Sequence, residues 1–171
     1  MNLQKLFIVS LLIAVFTTNT FAQDAATATA SATIIAPITI TNEVDMNFGN
    51  IAVQAETAGT AVIAPAGTRT STAGVTLPST TGTVTAASFT IGGEGIYTYT
   101  ITIPSTDYTI TDLTSAASMI VNTFTSTPSG TGILADGAQT LNVGATLNVS
   151  AAQAPGVYTN TTGFEVTVNY N

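Results

Sequence analysis

The protein has 171 residues, of which 45% are hydrophobic and 6% are charged, and it contains neither cysteine nor histidine. Two basic residues stand against nine acids, which disfavours nucleic acid and anionic lipid surfaces as partners, because both are bound through several Lys or Arg side chains. The missing residue types remove disulfides, the thiol nucleophile and the commonest general base. We therefore expect a protein that is not an enzyme and that holds no metal or cofactor.

Residues 1–22 have the pattern of a cleaved export signal. Lys5 precedes an apolar run from Leu6 to Phe16, which is shorter than the roughly 20 residues of a membrane-spanning helix. Small residues at Thr20 and Ala22 predict cleavage after Ala22. The mature chain would carry nine acids against Arg69 alone, a net charge of −8, with no membrane span.

An N-terminal extension, residues 23–36, follows the predicted signal. Its residues alternate with period two, which is typical of a strand. The opposite face is mostly threonine and serine. Pro37 cannot donate to a strand ladder, so the register should break there, and residues 37–171 should form the folded domain. The apolar face of the extension consists of Ala26, Ala28, Ala30, Ala32 and Ile34.

The remaining chain alternates repeatedly between short β-prone runs and Gly- or Pro-containing turns. We expect about eight to ten short strands in an antiparallel β-sandwich. Residues 92–95 (GGEG) are interpreted as a hairpin connection, and Asp136-Gly137 as a tight turn. The predicted strand runs are 59–65, 74–78, 83–91, 97–103, 108–111, 119–125, 141–149 and 164–170.

Three passages resemble a family of exported domains, the 4402 family of domains of unknown function. It is distantly similar to pilin subunits of the spore-coat-U-like and archaic chaperone–usher type. The first passage, 40–49, resembles that family's entry strand with its (L/M)-x-F-G ending, and the second, 59–65, resembles its next core strand. The third is Gly156-Val157-Tyr158 together with the alternating C-terminal run 164–170.

The resemblance implies an immunoglobulin-like sandwich that lacks its last strand and is completed by the extension of a neighbouring subunit, a form of β-strand addition. The apolar face of the extension would be the donor strand, and the C-terminal strand would form a wall of the acceptor groove. A homopolymer of like subunits, a periplasmic chaperone and an outer-membrane usher are the implied partners. The implied location is a surface fibre, or fimbrium, or the cell exterior, reached through the periplasm. The groove-wall residues would be Phe164, Val166, Val168 and Tyr170.

Two alternatives stay open at this point. The extension could fold back as a strand of a self-complete sandwich, which would then serve as a secreted adhesion or carbohydrate-binding module. Exposed aromatics would be needed for sugar binding, and Tyr97, Tyr99, Tyr108 and Tyr158 are available. Glu43 and Asp45 could supply oxygen ligands to Ca²⁺, although solvated loop acids are the simpler interpretation.

Overall fold

The computed structural model describes residues 23–171, so the predicted export signal lies outside the described residues. The described chain falls into two units, of which the second spans Ile35–Asn171. Residues 23–34, called the arm below, adopt neither helix nor strand, and their side chains are exposed. No helix in the described part of the chain is long and apolar enough to cross a membrane.

The unit from Ile35 onward, called the body, is built from strands alone. Within residues 35–171 we find thirteen of them, all paired antiparallel. The prediction of an all-β antiparallel fold is therefore confirmed. The strands are β1 Thr39–Val44, β2 Ala52–Val53, β3 Gly59–Ile63, β4 Arg69–Ala73, β5 Val75–Thr76, β6 Ala87–Gly92, β7 Thr98–Thr102, β8 Tyr108–Asp112, β9 Ser118–Thr127, β10 Thr131–Ile133, β11 Ala138–Val149, β12 Tyr158–Thr159 and β13 Thr167–Tyr170.

The larger sheet has the order β1-β6-β11-β9-β8-β12, and β3 and β4 extend it from β11. A smaller sheet has the order β10-β7-β13, and β2 pairs with β5. Strand β11 organises the larger sheet because it pairs with β6 through Val143 and with β3 from Ala145 onward. Gly144 lies at this change of partner, where a Cβ would be only 2.2 Å from the carbonyl oxygen of Ile63.

The core forms from alternate residues of the central strands. Because side chains on a strand alternate between faces, one apolar set turns inward from each strand. On β11 the predicted inward set is confirmed as buried. It packs with Phe89 and Ile91 of β6 and with Tyr99 of β7 in one cluster. The inward residues of β11 are Leu141, Val143, Ala145, Leu147 and Val149.

The hairpin prediction for residues 92–95 is wrong. Strand β6 belongs to the larger sheet and β7 to the smaller one, so this segment crosses between sheets. The chain also forms β2, β4, β10 and β12, which the sequence did not indicate, and β2 and β12 have two residues each. These additions raise the strand number above the eight to ten expected.

The tight turn predicted at Asp136-Gly137 is confirmed. Both residues have positive φ, 51° and 82°, as a type I′ turn requires. The flanking residues Ala135 and Ala138 pair with each other. This turn begins β11 at the end of the body where Thr39 lies opposite Gly92.

The two ends of β11 define two ends of the body. At its start, Ala138 lies opposite Gly92, which is also the partner of Thr39, so the chain enters the body here. We call this end the arm pole. At the end of β11, Val149 lies opposite Gly59. We call this end the cleft pole, because Val149 there lines an open cleft. A strand rises about 3.3 Å per residue, so the twelve residues of β11 separate the poles by roughly 35 Å.

Candidate functional site

Strand β13 lies at the edge of the smaller sheet, with β7 as its partner strand in the described residues. Thr167 lies opposite Thr102 and Asn169 opposite Thr100, and the Asn171 N–H donates to the Thr98 carbonyl at 3.2 Å. Hydrogen-bonded pairs alternate along an antiparallel ladder. The main-chain groups of Val168 and Tyr170 therefore point away from β7, towards an edge where no strand of the described chain pairs.

The side chains on this segment alternate as the sequence indicated. Val166 and Val168 are buried, and Phe164 and Tyr170 are half-buried. Phe164 packs against the rings of Phe124 and Tyr108, with centroids 5.0 and 5.9 Å away. The strand itself is shorter than the predicted run of 164–170, because its ladder with β7 begins only at Thr167.

At the arm pole, the space between β13 and the edge strand β1 is narrow. Cα atoms of the two strands approach within 8 Å, although no ladder joins them. The Tyr170 hydroxyl donates to the Ala36 carbonyl at 3.0 Å and accepts from the Glu94 N–H at 2.6 Å. Gly93 permits this, because a Cβ there would lie 2.3 Å from the Tyr170 hydroxyl oxygen.

At the cleft pole, the same space widens into a cleft of about 880 Å³. One wall is the segment 45–53 that follows β1, and the opposite wall is the segment 153–164 that precedes β13. The floor comes from β8, β9 and β11. The lining includes a set of apolar side chains that are only partly buried, so core surface stays uncovered here. This set is Met46, Phe48, Ile51, Val53, Tyr108, Ile110, Met119 and Phe164.

The first wall is held by Arg69, the one basic side chain in the described residues. Its Nη1 donates to the carbonyls of Phe48 and of Asn50, the latter at 3.0 Å. Between them lies Gly49 with φ +68°, where a Cβ would be 2.3 Å from the Thr81 carbonyl oxygen. Arg69 on β4 therefore fixes a turn that points Met46 and Phe48 into the cleft.

The second wall is fixed by Asp112, a buried carboxylate at the end of β8. Its Oδ2 accepts from the Ser115 hydroxyl at 2.6 Å and from the Ser115 N–H at 2.8 Å. These hydrogen bonds, the hydroxyl first, hold the pKa of Asp112 below its ordinary value. Gly156 packs on the carboxylate, because a Cβ there would lie 2.6 Å from Asp112 Cγ. Tyr158 secures the same loop by donating to the Ala154 carbonyl at 2.6 Å.

The model of one protein family, the Domain of unknown function (DUF4402), matches residues 38–170. The chain belongs to the DUF4402 family. The match begins one residue before β1 and ends on the last residue of β13, so it covers the body and leaves out the arm. No curated protein and no solved structure matches the chain significantly.

Two of the three passages that suggested this family contribute to the lining of the cleft. Met46-Asn47-Phe48-Gly49 forms the Arg69-held wall, and Gly156-Val157-Tyr158 forms the rim opposite. Within the DUF4402 domain, these weak sequence signals are thus close in space although more than 100 positions apart. The roles of Arg69 and Asp112 were missed in the sequence. For Arg69, the available signal was that it is the single basic residue after position 22.

The predicted donor residues Ala26, Ala28, Ala30, Ala32 and Ile34 lie in the arm and belong to no strand of the described chain. Their side chains are exposed, and Ile34 reaches 96% exposure. A strand before Thr39, as the self-complete alternative requires, is not present in residues 23–38.

Of the two acids considered for Ca²⁺, Asp45 accepts a local hydrogen bond. Asn42 donates through its amide to Asp45 Oδ1 at 3.1 Å, and Asn47 Oδ1 accepts from the Gly49 N–H at 2.8 Å. No group of three metal-ligating side chains occurs in the part of the chain that the structure describes. Beside its apolar side chains, the cleft is lined by polar ones, among them Asn47 and Gln153.

Proposed function

We propose that the protein is an exported structural subunit of a surface fibre, and that it polymerises by donor-strand exchange. In this proposal the arm of one subunit pairs with β13 of the next and adds a strand to the smaller sheet. The observation that carries it is the edge of β13 that pairs with no strand of the described residues, beside a cleft in which part of the apolar core is uncovered. An open edge of this kind invites pairing with another chain.

The arm supports the proposal through its composition. A strand added beside β13 must expose one face to water and turn the other towards the core, which is the period-two pattern of residues 26–34. Alanine side chains are small enough to pass the narrow part of the groove between β1 and β13. Ile34 is bulky, apolar and 96% exposed, so it has apolar area available for burial in another molecule.

An unpolymerised body would expose both the β13 edge and the cleft, which is an aggregation hazard. A partner that covers the groove before assembly would remove this hazard. In this proposal that partner is a periplasmic chaperone and the assembly partner is an outer-membrane usher, as the resemblance to pilin subunits implies. Export through the predicted signal of residues 1–22 would bring the subunit to both.

The alternative, a self-complete secreted module that binds carbohydrate, has less support. Its four candidate tyrosines do not form one exposed platform: Tyr99 is buried, and Tyr158 is committed to the 153–158 loop. Tyr97 packs edge-to-face on Tyr170, with ring centroids 5.8 Å apart.

A matched pair of arm variants tests the proposal. Ala30→Asp puts a carboxylate on the face that would enter the groove, whereas Thr29→Asp puts the same charge on the face that would stay in water. We expect the natural protein and Thr29→Asp to form SDS-resistant ladders on gels of unheated samples, and Ala30→Asp to remain monomeric. Ladders of equal length from both variants would contradict donor-strand exchange.

A truncated chain beginning at Ile38 gives a second measurement. If the groove binds the arm, a synthetic peptide of residues 23–36 should raise the unfolding free energy by about 2.7 kcal/mol at 100 times its dissociation constant. The same peptide with Ala30→Asp serves as the control. A truncated chain that folds normally and gains nothing from either peptide would favour the self-complete module.

A further inference from the structure

Two exposed apolar patches lie at the two poles of the body. At the arm pole, Ile96 is 76% exposed and Ile133 is 54% exposed, and Ile133 lies opposite Thr98, two residues after Ile96. The Tyr97 carbonyl accepts from the Leu134 N–H at 3.0 Å, and the Tyr97 ring packs on Tyr170, which bonds to Ala36 where the arm leaves the body. We call Ile96 and Ile133 the arm-pole patch.

The second patch lies on the rim of the cleft. Leu113 is 83% exposed and Val157 is 80% exposed. Asp112 and Tyr158 are the last pair of the β8–β12 ladder, and Leu113 and Val157 are the next residue of each segment beyond this pair. Val157 also lines the cleft. We call Leu113 and Val157 the cleft-pole patch. Leu113 and the arm-pole patch lie outside the lining of the groove, so donor-strand pairing does not account for their exposure.

The shape of the groove indicates which way the arm of a neighbour enters. Ile34 is the one bulky side chain on the apolar face of the arm, and the other members are alanines. The groove is narrow at the arm pole, where Tyr170 bonds to Ala36, and wide at the cleft pole. Ile34 therefore fits at the cleft pole. Because β13 runs from the cleft pole towards Tyr170 at the arm pole, an arm that ends with Ile34 at the cleft pole runs antiparallel to β13.

The length of the connecting segment then brings the two bodies together. Only residues 35–38 separate Ile34 from β1. The five residue steps from Ile34 to Thr39 span at most about 18 Å when extended. With Ile34 seated in a neighbour's cleft, the arm pole of one body must therefore lie against the cleft pole of the next. The two patches are on the facing ends.

We propose that the arm-pole patch of one subunit packs on the cleft-pole patch of the next, forming a second subunit–subunit interface. The proposed partner is a second copy of this chain, and the inference rests on the proposed strand exchange. The contact is apolar: Glu94 and Asp136 are the acids beside the arm-pole patch, and no basic side chain of residues 23–171 lies at the cleft-pole patch to pair with them. Because the patches occupy opposite poles of one molecule, the interface is heterologous and extends an open chain rather than closing a two-fold dimer.

Cysteine cross-linking tests this interface directly, because the described chain has no cysteine of its own. In the full-length chain, Ile96→Cys is combined with Val157→Cys, and the polymer is treated with a short bismaleimide after assembly. Ile96→Cys combined with Thr70→Cys is the matched control, since Thr70 is exposed on the flanking strand β4. We expect a ladder that survives boiling from the first pair and monomers from the control.

The outcomes separate this inference from the proposed function. An SDS-resistant ladder in unheated samples, without cross-linking above the control, would overturn the patch interface and leave strand exchange standing. Absence of any SDS-resistant ladder would overturn both.

A second variant tests the energetic role of the same contact. Leu113→Ser should slow assembly by at least about tenfold while leaving the ladders SDS-resistant once formed, because apolar anchors carry much of an interface's affinity. Leu113→Met keeps the apolar area and should assemble at the natural rate. Equal assembly rates for all three proteins would contradict the interface.

Discussion

The arm and the C-terminal segment have the same kind of sequence and different structures. Residues 26–34 and 164–170 both alternate apolar and polar side chains. The C-terminal segment forms β13 on the small sheet, whereas the arm forms no strand in the described chain. The apolar side chains of the C-terminal segment are Phe, Val, Val and Tyr, and those of the arm are four alanines and one isoleucine.

The difference follows from what each segment can bury. Burial stabilises by about 25 cal/mol per Å² of apolar surface, so alanines contribute little towards the entropy cost of ordering the chain. The C-terminal segment has larger side chains and a partner, β7, that supplies backbone hydrogen bonds. Alternating apolar and polar side chains therefore indicate a segment that is able to form a strand. Whether the strand forms depends on a neighbouring strand with which it can pair.

The largest expected effect separates the two segments with one kind of substitution. Val168→Asp should destabilise the monomer by about 3 to 5 kcal/mol, because it leaves a carboxylate buried without a partner. Ala30→Asp should change the stability of the monomer by less than about 0.5 kcal/mol, since its side chain is exposed. Chemical denaturation of both measures this, with Asn169→Asp on the exposed face of β13 as the control.

Hydrogen exchange sharpens the comparison at the level of single amides. In the monomer, the Asn169 and Asn171 N–H groups should exchange slowly, whereas those of Val168 and Tyr170, which face away from β7, should exchange fast. Adding the 23–36 peptide in excess should slow the Val168 and Tyr170 amides at least about tenfold. Unchanged exchange rates at these two amides would contradict the proposed pairing of the arm with β13.

A smaller effect is expected at the cleft wall. Arg69→Ala removes both hydrogen bonds that hold Phe48 and Asn50, and should lower the unfolding free energy by about 1 to 2 kcal/mol. It should also weaken binding of the 23–36 peptide, because the wall that carries Met46 and Phe48 loses its support. Arg69→Lys keeps the charge without the planar guanidinium, so an intermediate result is expected. A normal peptide affinity in Arg69→Ala would show that the wall does not contribute.

The smallest effect concerns the opposite wall and depends on pH. The pKa of Asp112 lies below its ordinary value of 3.8 in the folded protein, because Ser115 donates to its carboxylate. The resulting stabilisation is present above pH 3.8 and is lost as the pH falls through the folded pKa. The difference in melting temperature between the natural protein and Asp112→Asn should therefore be constant down to about pH 4 and shrink below it. A constant difference at every pH would contradict this assignment.

Local patterns predicted several elements correctly, and the reasons are visible at particular residues. The alternation of Leu141 to Val149 matches the inward face of β11, because a buried central strand must present apolar side chains there. The pair Asp136-Gly137 correctly predicted a tight turn, because few residue pairs accept positive φ at both positions. Strand β4, in contrast, is the polar run Arg69–Ala73, which carries no hydrophobic alternation and pairs only because β3 lies beside it.

The candidate site could be predicted only in part. The inward positions of Val166 and Val168 followed from the alternation of apolar and polar side chains. The cleft did not, because its walls at 45–53 and 153–164 are separated by about 100 residues and carry no shared pattern. Nor did the crossing of residues 92–95 between sheets, since a glycine-rich turn permits either a hairpin or a crossover.

By itself, the sequence determined that the chain is all-β and which residues of its long strands turn inward, because these depend on side-chain alternation and local backbone preference. It also identified the alternating segments 26–34 and 164–170. Only the tertiary structure decided that the second has a partner strand on one edge and that the first has none within residues 23–171. Strand pairing is a contact between distant residues, so its presence or absence at an edge depends on the whole fold.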